Sequence, residues 1–381
     1  MKVDLFKVYM PKSVDKKMID VLHSGYIAEG EQVRLFESRL QNFFNNKNII
    51  TTNSCTSALH LSLKIAGVGF GDYVLVTPQT CVATCVSIAN LGAIPVWVDV
   101  DPRHGMITKE TLLDAISNIK DINKIKAVLY VLWGGDLGPI SEIDKTCKDF
   151  KMPLIVDAAQ GFGVRYNSGH NILGDGLHGD MVCFSFQAIK HITCSDGGAI
   201  AFRDQDLCKR GFKLKWFGID RDGFRTPTGE INWQSDIPEI GFKFHMNNIA
   251  GVIGAEQMGE TSDNLIRRLN SYILNDLILQ ESLEDVIKRS WVGPTAAWVS
   301  TFLVSNPLDL LVFLKEKGIH TSQMHINNDI YSGFKGVIKH NSLPGVKEFM
   351  DTHLCFPCGW WVAPDQLQYI IDSVREYYGT K

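Results

Sequence analysis

Between residues 49 and 200, short apolar segments of strand length alternate with segments that carry apolar residues at helical spacing. The first five predicted strands are 48–52, 73–77, 94–100, 125–132 and 154–156. Alternation at this spacing predicts a mostly parallel sheet with helices on both faces. In such sheets ligands bind beyond the carboxyl ends of the strands, so the residues that follow strands are the first candidates for function.

The chain of 381 residues is longer than one ordinary domain and predicts two. We place a large α/β domain at residues 1–258 and a smaller α+β domain at residues 259–381. A long helical stretch from residue 262 to about residue 281 links them. The composition, 45% hydrophobic and 21% charged, is typical of a globular protein with a large core.

Charge and hydropathy exclude several classes of partner. The net charge of −4 gives no basic surface for nucleic acid or an anionic membrane. No apolar run approaches the roughly 20 residues that span a bilayer, and residues 1–6 lack the apolar core of a signal peptide. The nine cysteines are scattered, which favours a reducing cytoplasm over a disulfide framework.

Two cysteine pairs have spacings that merit attention. Cys355 and Cys358 form a CxxC, but no second such pair completes a zinc site. Cys81 and Cys85 lie four residues apart, on one face of a predicted helix. Ordinary buried thiols explain both pairs better than a metal or redox site, so we predict no metal.

The stretch 184–200 presents a lysine between two strand-like segments. An unpaired ammonium is costly to bury, so Lys190 either extends to solvent or lies in a site where its amine reacts. Desolvation makes a lysine amine nucleophilic and suited to Schiff-base formation. We favour the reactive interpretation, and we expect the Gly197–Gly198 pair to let the chain turn back into the sheet.

Two further strand ends carry polar residues. Thr56 and Ser57 begin a helix whose N-terminus suits a phosphate, although in isolation a plain helix cap is the better explanation. Asp157 follows a buried strand, where a carboxylate holds a protonated ring nitrogen or caps a helix. Together with Lys190, these sites supply what pyridoxal 5'-phosphate requires: a phosphate cradle, a carboxylate for the pyridine nitrogen and an amine for the aldehyde.

The chain resembles the sugar aminotransferases of the DegT/DnrJ/StrS family over nearly its whole length. The resemblance is carried by residues 30–44, 53–60, 76–78, 92–101, 157–160 and 184–200, of which the last two are the most specific. It implies a fold-type-I transferase, in which a mostly parallel seven-stranded sheet forms the large domain and a smaller C-terminal α+β domain follows. It also implies an obligate homodimer with shared active sites.

The resemblance assigns roles to individual residues. Lys190 matches the Schiff-base lysine, Asp157 the partner of the pyridinium nitrogen and Gln160 the group that bonds the ring hydroxyl. Ser185 matches a phosphate-binding position, as do the backbone groups at Thr56 and Ser57.

Two positions depart from the family pattern. His245 stands where the family has a polar residue, often asparagine, that reaches the phosphate from the neighbouring subunit. Cys81 stands where the family has an aromatic residue that stacks on the pyridine ring. These departures leave the identity of the cofactor unchanged.

The resemblance implies transfer of an amino group from glutamate to a nucleotide-linked deoxy sugar with a keto group at C4, in O-antigen or other lipopolysaccharide assembly. Amination at C3 is the alternative, with the choice set by the loops at 209–240 and 320–334. The dehydratase branch has histidine in place of the lysine, whereas here Lys190 is retained and His191 follows it. A non-catalytic regulator is disfavoured by the intact site, and a nucleotide-dependent oxidoreductase by the absence of GxGxxG after the first strand.

Overall fold

The computed structural model describes residues 1–221, 223–258, 263–334, 337 and 342–379. The described residues form twelve α-helices and twelve strands. The helices are α1 (Ser13–His23), α2 (Glu31–Phe44), α3 (Cys55–Ile65), α4 (Val82–Ala89), α5 (Lys109–Ser117), α6 (Ile140–Asp149), α7 (Gln205–Leu214), α8 (Asn248–Gln257), α9 (Asp263–Gln280), α10 (Pro307–Glu316), α11 (Pro344–Thr352) and α12 (Pro364–Tyr378). The strands are β1 (Ile49–Thr52), β2 (Tyr73–Val76), β3 (Ile94–Trp97), β4 (Ile125–Val131), β5 (Leu154–Asp157), β6 (Arg165–Tyr166), β7 (Asn171–Ile172), β8 (Met181–Ser185), β9 (Gly198–Phe202), β10 (Ile287–Arg289), β11 (Ser300–Val304) and β12 (His353–Phe356).

A seven-stranded sheet in the order β1-β9-β8-β5-β4-β2-β3 forms the centre of the fold. Pairing is parallel from β8 through β5, β4 and β2 to β3, whereas β9 runs antiparallel to both of its neighbours. Six strands therefore point the same way, and their carboxyl ends meet at one edge. The predicted mostly parallel sheet of a fold-type-I transferase is confirmed.

Side chains alternate between the two faces of this sheet. In β2, Val74 and Val76 pack in one apolar cluster and Leu75 packs in the other. Because both faces are covered, the strands are continuous apolar segments rather than alternating ones. The polar groups of the chain are therefore concentrated at the strand ends.

A second, antiparallel sheet in the order β10-β11-β12 packs with α10 and α12 around a third apolar cluster. Val3 joins this cluster, and its backbone pairs in parallel with Ile319. The proposed domain boundary falls between residues 258 and 259. Residues 259–262 lie outside the described residues, and the division stays a prediction.

The prediction of a long loop at residues 209–240 is wrong at the start of this range, because α7 continues to Leu214. Asp204 caps this helix, and its side chain accepts hydrogen bonds from the backbone N–H groups of Asp206 and Leu207. The helix therefore begins before the range in which the loop was expected. Among the described helices, none is long and apolar enough to cross a membrane.

Candidate active site

A cavity of about 410 Å³ opens at the carboxyl ends of β4, β5 and β8. Six of the eight residues predicted to bind the cofactor line it: Thr56, Cys81, Asp157, Gln160, Ser185 and Lys190. Two others, Ser57 and His245, lie outside the set of described residues that line the cavity. The sheet thus brings together most of the site that the sequence predicted.

The carboxylate of Asp157 is the most deeply buried charge of the cavity, at 5% exposure. The Thr84 hydroxyl donates to Oδ2 at 2.7 Å, and the Ala159 N–H donates to Oδ1 at 3.0 Å. Thr84 has one proton and gives it to Asp157, so Thr80 is the donor in the 2.9 Å contact between the two threonine hydroxyls. Burial raises the pKa of Asp157, which creates a strong electrostatic preference for a cationic partner in the cavity.

Lys190 lies in the connection between β8 and β9. Its backbone N–H donates to the Gln187 carbonyl at 2.9 Å, which turns the chain so that the side chain enters the cavity. The ammonium makes no hydrogen bond or ion pair with any residue that the structure describes. Surrounding protein atoms lower the pKa of Lys190 to about 8, while the charge of Asp157 opposes this shift. A large fraction of the amine is therefore neutral and nucleophilic near pH 8.

The N-terminus of α3 lines the cavity, and so does Ser185. Ser54 caps the helix, and its hydroxyl accepts the Ser57 N–H at 3.1 Å. The Ser57 amide is thus used by the cap, whereas Thr56 faces the cavity. The first turn of a helix with a lining hydroxyl nearby can hold an anion through backbone N–H groups and the helix dipole.

The glycine pair after Lys190 has a different role from the expected one. Neither Gly197 nor Gly198 has a positive φ, and the left-handed residue of this connection is Ser195, at φ 71°. A Cβ on Gly198 would lie 2.5 Å from the carbonyl carbon and oxygen of Ser54. Glycine is therefore required because β9 passes directly against the N-terminus of α3.

Gln160 has a partner that the sequence analysis missed. Its Oε1 accepts the Gly134 N–H at 2.7 Å, and its Nε2 lies 3.2 Å from Nε2 of His325. Burial lowers the pKa of His325 to about 4, so the ring is neutral and Nε2 accepts from the amide. His325 comes from a segment between β11 and β12 without regular periodicity, and its sequence context carries no signal for this contact.

Trp298 also lines the cavity and was also missed. It precedes β11 by two residues, in a run of small and apolar residues that has no pattern typical of a site. Cys81, in the position where the family places an aromatic ring, faces the same cavity from the start of α4. His191 is outside the set of described residues that line the cavity, and it donates from Nε2 to the Ala296 carbonyl at 3.1 Å.

His245 packs against Trp216, with the two ring centroids 3.8 Å apart. Burial lowers the pKa of His245 to about 4, although the charge of Glu29 opposes this effect. Nδ1 is buried without a hydrogen-bond partner in the described part of the chain. Glu29 also pairs with Lys215 at 2.8 Å and Arg221 at 2.6 Å, so His245 lies beside a charged network in which Glu29 and Lys215 are buried.

All nine cysteines are free thiols. Among the residues that the structure describes, no three histidine, cysteine or acidic side chains lie close enough to hold a metal ion.

The sequence model of the DegT/DnrJ/EryC1/StrS aminotransferase family matches residues 9–375. This chain belongs to that family. Its members are pyridoxal phosphate-dependent sugar aminotransferases, so the enzyme class and the cofactor predicted from the sequence are confirmed.

Individual relatives agree with this assignment. The sugar aminotransferase CalS13 from Micromonospora echinospora is 26% identical, with a TM-score of 0.87 over 98% of this chain and 99% of its own. AtS13 from Actinomadura melliaura is also 26% identical, with a TM-score of 0.86 over 98% of each chain. An uncharacterized protein of Methanocaldococcus jannaschii is 27% identical over 94% of this chain and 93% of its own length.

The described cavity fits pyridoxal phosphate. The unpaired amine of Lys190 and the buried carboxylate of Asp157 face one space, and the α3 N-terminus offers an anion site at its end. These are the three chemical groups that the aldehyde, the ring nitrogen and the phosphate require.

Proposed function

We propose that this enzyme transfers an amino group from glutamate to the keto group of a nucleotide-linked deoxy sugar, with C4 as the site of amination. The proposal rests on one observation above all: the amine of Lys190 and the carboxylate of Asp157 share a cavity with a helix N-terminus. The product would serve surface glycan synthesis, such as that of O-antigen lipopolysaccharide, in the cytoplasm. Residues 1–258 would form the cofactor domain and residues 259–381 the smaller domain.

Lys190 and Asp157 would carry the chemistry. When bound, pyridoxal phosphate takes up the amino group of the donor and stabilises negative charge at the neighbouring carbon. The Lys190 amine would hold the cofactor and, when released, move a proton as a general base. Its pKa of about 8 suits this role, because a base is most effective when its pKa is near the working pH.

Asp157 would keep a proton on the ring nitrogen. Its carboxylate is buried and oriented by Thr84, so it would interact with a cation in a medium that screens charge poorly. Gln160 would direct its second amide proton toward the ring hydroxyl, since the first is given to His325. Cys81 would contact the face of the ring from the position where the family has an aromatic residue.

The phosphate would lie at the N-terminus of α3. Thr56 and Ser185 line the cavity, whereas the Ser57 amide would have to divide its proton between Ser54 and the phosphate. We therefore expect Thr56 and Ser185 to contribute more to phosphate affinity than Ser57.

His245 would reach the cofactor phosphate of a second subunit, in a homodimer with shared sites. His245 is not among the described residues that line the cavity of its own chain, and its Nδ1 has no partner in the described residues, which supports this arrangement. Co-expression of differently tagged Lys190→Ala and His245→Ala chains tests it. The mixed dimer would contain one site with both residues and regain turnover that neither variant has alone. If the mixed dimer is as inactive as its parents, each site is built from a single chain.

The substrate assignment is tested with a panel of sugars. The purified protein is incubated with glutamate and UDP-, GDP- or dTDP-linked 4-keto and 3-keto deoxy sugars, and mass spectrometry detects the aminated product. We expect amination of a 4-keto sugar. Amination of only 3-keto sugars, or of keto sugars that carry no nucleotide, would replace the specific assignment and leave the enzyme class intact.

The role of Lys190 has its own test. Lys190→Ala is expected to purify without a covalently held chromophore and without turnover, whereas Lys16→Ala, at an exposed position of α1, retains both. Full turnover of the Lys190 variant would show that the assignment is wrong.

A further inference from the structure

The ring of Trp298 contacts both Lys190 and the N-terminal segment of the chain. Lys190 Nζ is 3.8 Å from the ring centroid, and the ring of Phe6 stacks on Trp298 at a centroid distance of 4.8 Å and an interplanar angle of 25°. Trp298 is only 1% exposed. Its buried ring is thus in contact with both the reactive amine and Phe6.

Hydrogen bonds connect Trp298 to the segment that carries the lysine. Its indole Nε1 donates to the carbonyl of Ile189 at 2.9 Å, and Ile189 is the residue immediately before Lys190. Arg267 donates to the Trp298 carbonyl at 3.0 Å. The indole is therefore bonded to the backbone of the connection that carries Lys190, and the Trp298 backbone is bonded to Arg267. Both bonds hold the ring in position relative to the amine.

Phe6 is itself held in place by the residues around it. The backbone of Val3 pairs with Ile319, and the Trp361 indole donates to the Asp4 carbonyl at 2.7 Å. On the other side of Phe6, the Gln257 amide donates to the Tyr9 carbonyl at 2.6 Å. The N-terminal segment is thus attached at both ends, with Phe6 between the two attachments.

The contacts of the Trp298 ring with Phe6 and Lys190 exclude a role in sugar binding. Exposed aromatic faces bind the apolar faces of sugars, but here Phe6 stacks on the ring, the amine lies over it, and the side chain is buried. The ring is therefore directed at Lys190 rather than at a sugar. A lysine side chain has four rotatable bonds, and an ammonium over an aromatic face is held by attraction to the ring quadrupole.

We propose that Trp298 is a positioning residue that holds the Lys190 amine in the cofactor cavity, and that Phe6 keeps Trp298 in place. The inference rests on the proposed role of Lys190. It makes the N-terminal segment part of the active-site architecture, although that segment lies outside the set of described residues that line the cavity.

The experiment measures capture of pyridoxal phosphate by the cofactor-free protein. Absorbance follows the rate, and borohydride reduction followed by peptide mass spectrometry locates the modified residue. Trp298→Leu is expected to slow capture at Lys190 on the order of tenfold, because the amine loses its aromatic partner. Trp298→Phe retains a ring face and slows it less, and Phe6→Ala slows it through movement of Trp298. Trp233→Leu is the matched control, since Trp233 is 96% exposed.

A pH profile separates positioning from a general loss of structure. The ring stabilises the ammonium through its quadrupole, so replacement by apolar leucine removes this stabilisation, and the midpoint of capture in Trp298→Leu moves below the wild-type midpoint. A merely destabilised protein would lose amplitude without this movement. The other titratable groups that interact with the amine are unchanged in the variant: Asp157, Cys55, Cys81, His191 and His325.

The outcomes distinguish this inference from the proposed function. If the wild-type protein is not modified at Lys190, the proposed function fails. If the wild type is modified and both Trp298→Leu and Phe6→Ala capture the cofactor at its rate, only the positioning role is overturned. Should Trp298→Leu not fold, Trp298→Phe and Phe6→Ala decide, and wild-type rates in both overturn the proposal.

Discussion

Thr84 Oγ1 lies 2.7 Å from Asp157 Oδ2 and gives its only hydroxyl proton to that carboxylate. The bond orients the carboxylate of Asp157, which the cofactor needs. Thr84 lies in α4, a helix without charged side chains. Thr80 supports it from one turn earlier, through a 2.9 Å contact with the Thr84 hydroxyl.

Thr84→Val is expected to weaken pyridoxal phosphate binding by about 1.5–3 kcal/mol, the usual contribution of a hydrogen bond to a charged group. Valine has the same shape but no donor, and it also leaves the Thr80 hydroxyl without its acceptor. Equilibrium titration of the cofactor-free protein by fluorescence measures the change. Thr84→Ser retains the donor and is expected to bind as the wild type does; equal affinity in the valine variant would contradict the role of this bond.

Lys190→Met is expected to stabilise the cofactor-free protein at pH 7 by up to about 3 kcal/mol, because the pKa of Lys190 falls from 10.5 to about 8 on folding. The unfolded chain binds more protons between these values, so wild-type stability increases with pH across that window. The advantage of methionine is therefore complete below pH 8 and disappears by about pH 10.5. Urea unfolding at several pH values measures it.

Lys16→Met is the control for this experiment, since Lys16 is exposed on α1. It is expected to change stability little at any pH. An advantage of Lys190→Met that does not vary with pH would mean that it arises from packing rather than from the charge.

Gly198→Ala is expected to destabilise the protein by about 1–3 kcal/mol, because the new Cβ would lie 2.5 Å from the Ser54 backbone. The displaced α3 N-terminus would also bind the cofactor phosphate more weakly. Thermal unfolding and cofactor titration measure the two effects. Gly223→Ala is the matched control, since a Cβ there meets no described atom within 4 Å, and identical behaviour of the two variants would refute the steric argument.

His325→Phe is expected to lower cofactor affinity on the order of severalfold, because Gln160 loses the acceptor that orients its amide. The exposed His170 provides the control as His170→Phe. Since the pKa of His325 is about 4, its contribution to the cofactor affinity of the wild-type protein should stay constant from pH 6 to 8. A step in affinity near pH 6.5 that disappears in the variant would mean that the ring titrates in the holoenzyme.

The parts of the fold that could be predicted are those with strong local patterns. Helix α12 has such a pattern, because Pro364 lies in its first turn and its apolar residues recur at helical spacing. The strand before Asp157 is a continuous apolar run, as expected for a strand covered on both faces. Helix α7 was not predicted, because the loop expected at residues 209–240 begins inside this helix.

The site was predictable where its residues follow strands, and not where they come from irregular segments. Asp157, Ser185 and Lys190 occupy strand ends whose meeting at one edge follows from a parallel sheet. Trp298 and His325 reach the same cavity from segments more than 100 residues later in the chain. Their positions depend on how the second sheet packs on the first, which no local pattern encodes.

The connection that carries Lys190 begins and ends on paired residues, since Ser185 faces Gly198 across the β8–β9 ladder. The separation of its two ends is therefore set by the sheet and does not depend on the sequence of the connection itself. This makes residues 186–197 a natural cassette for exchange between members of the family. A transplanted segment of equal length would find its anchor points already at the correct spacing, and the origin of the lysine environment could be tested by swapping one continuous piece of chain.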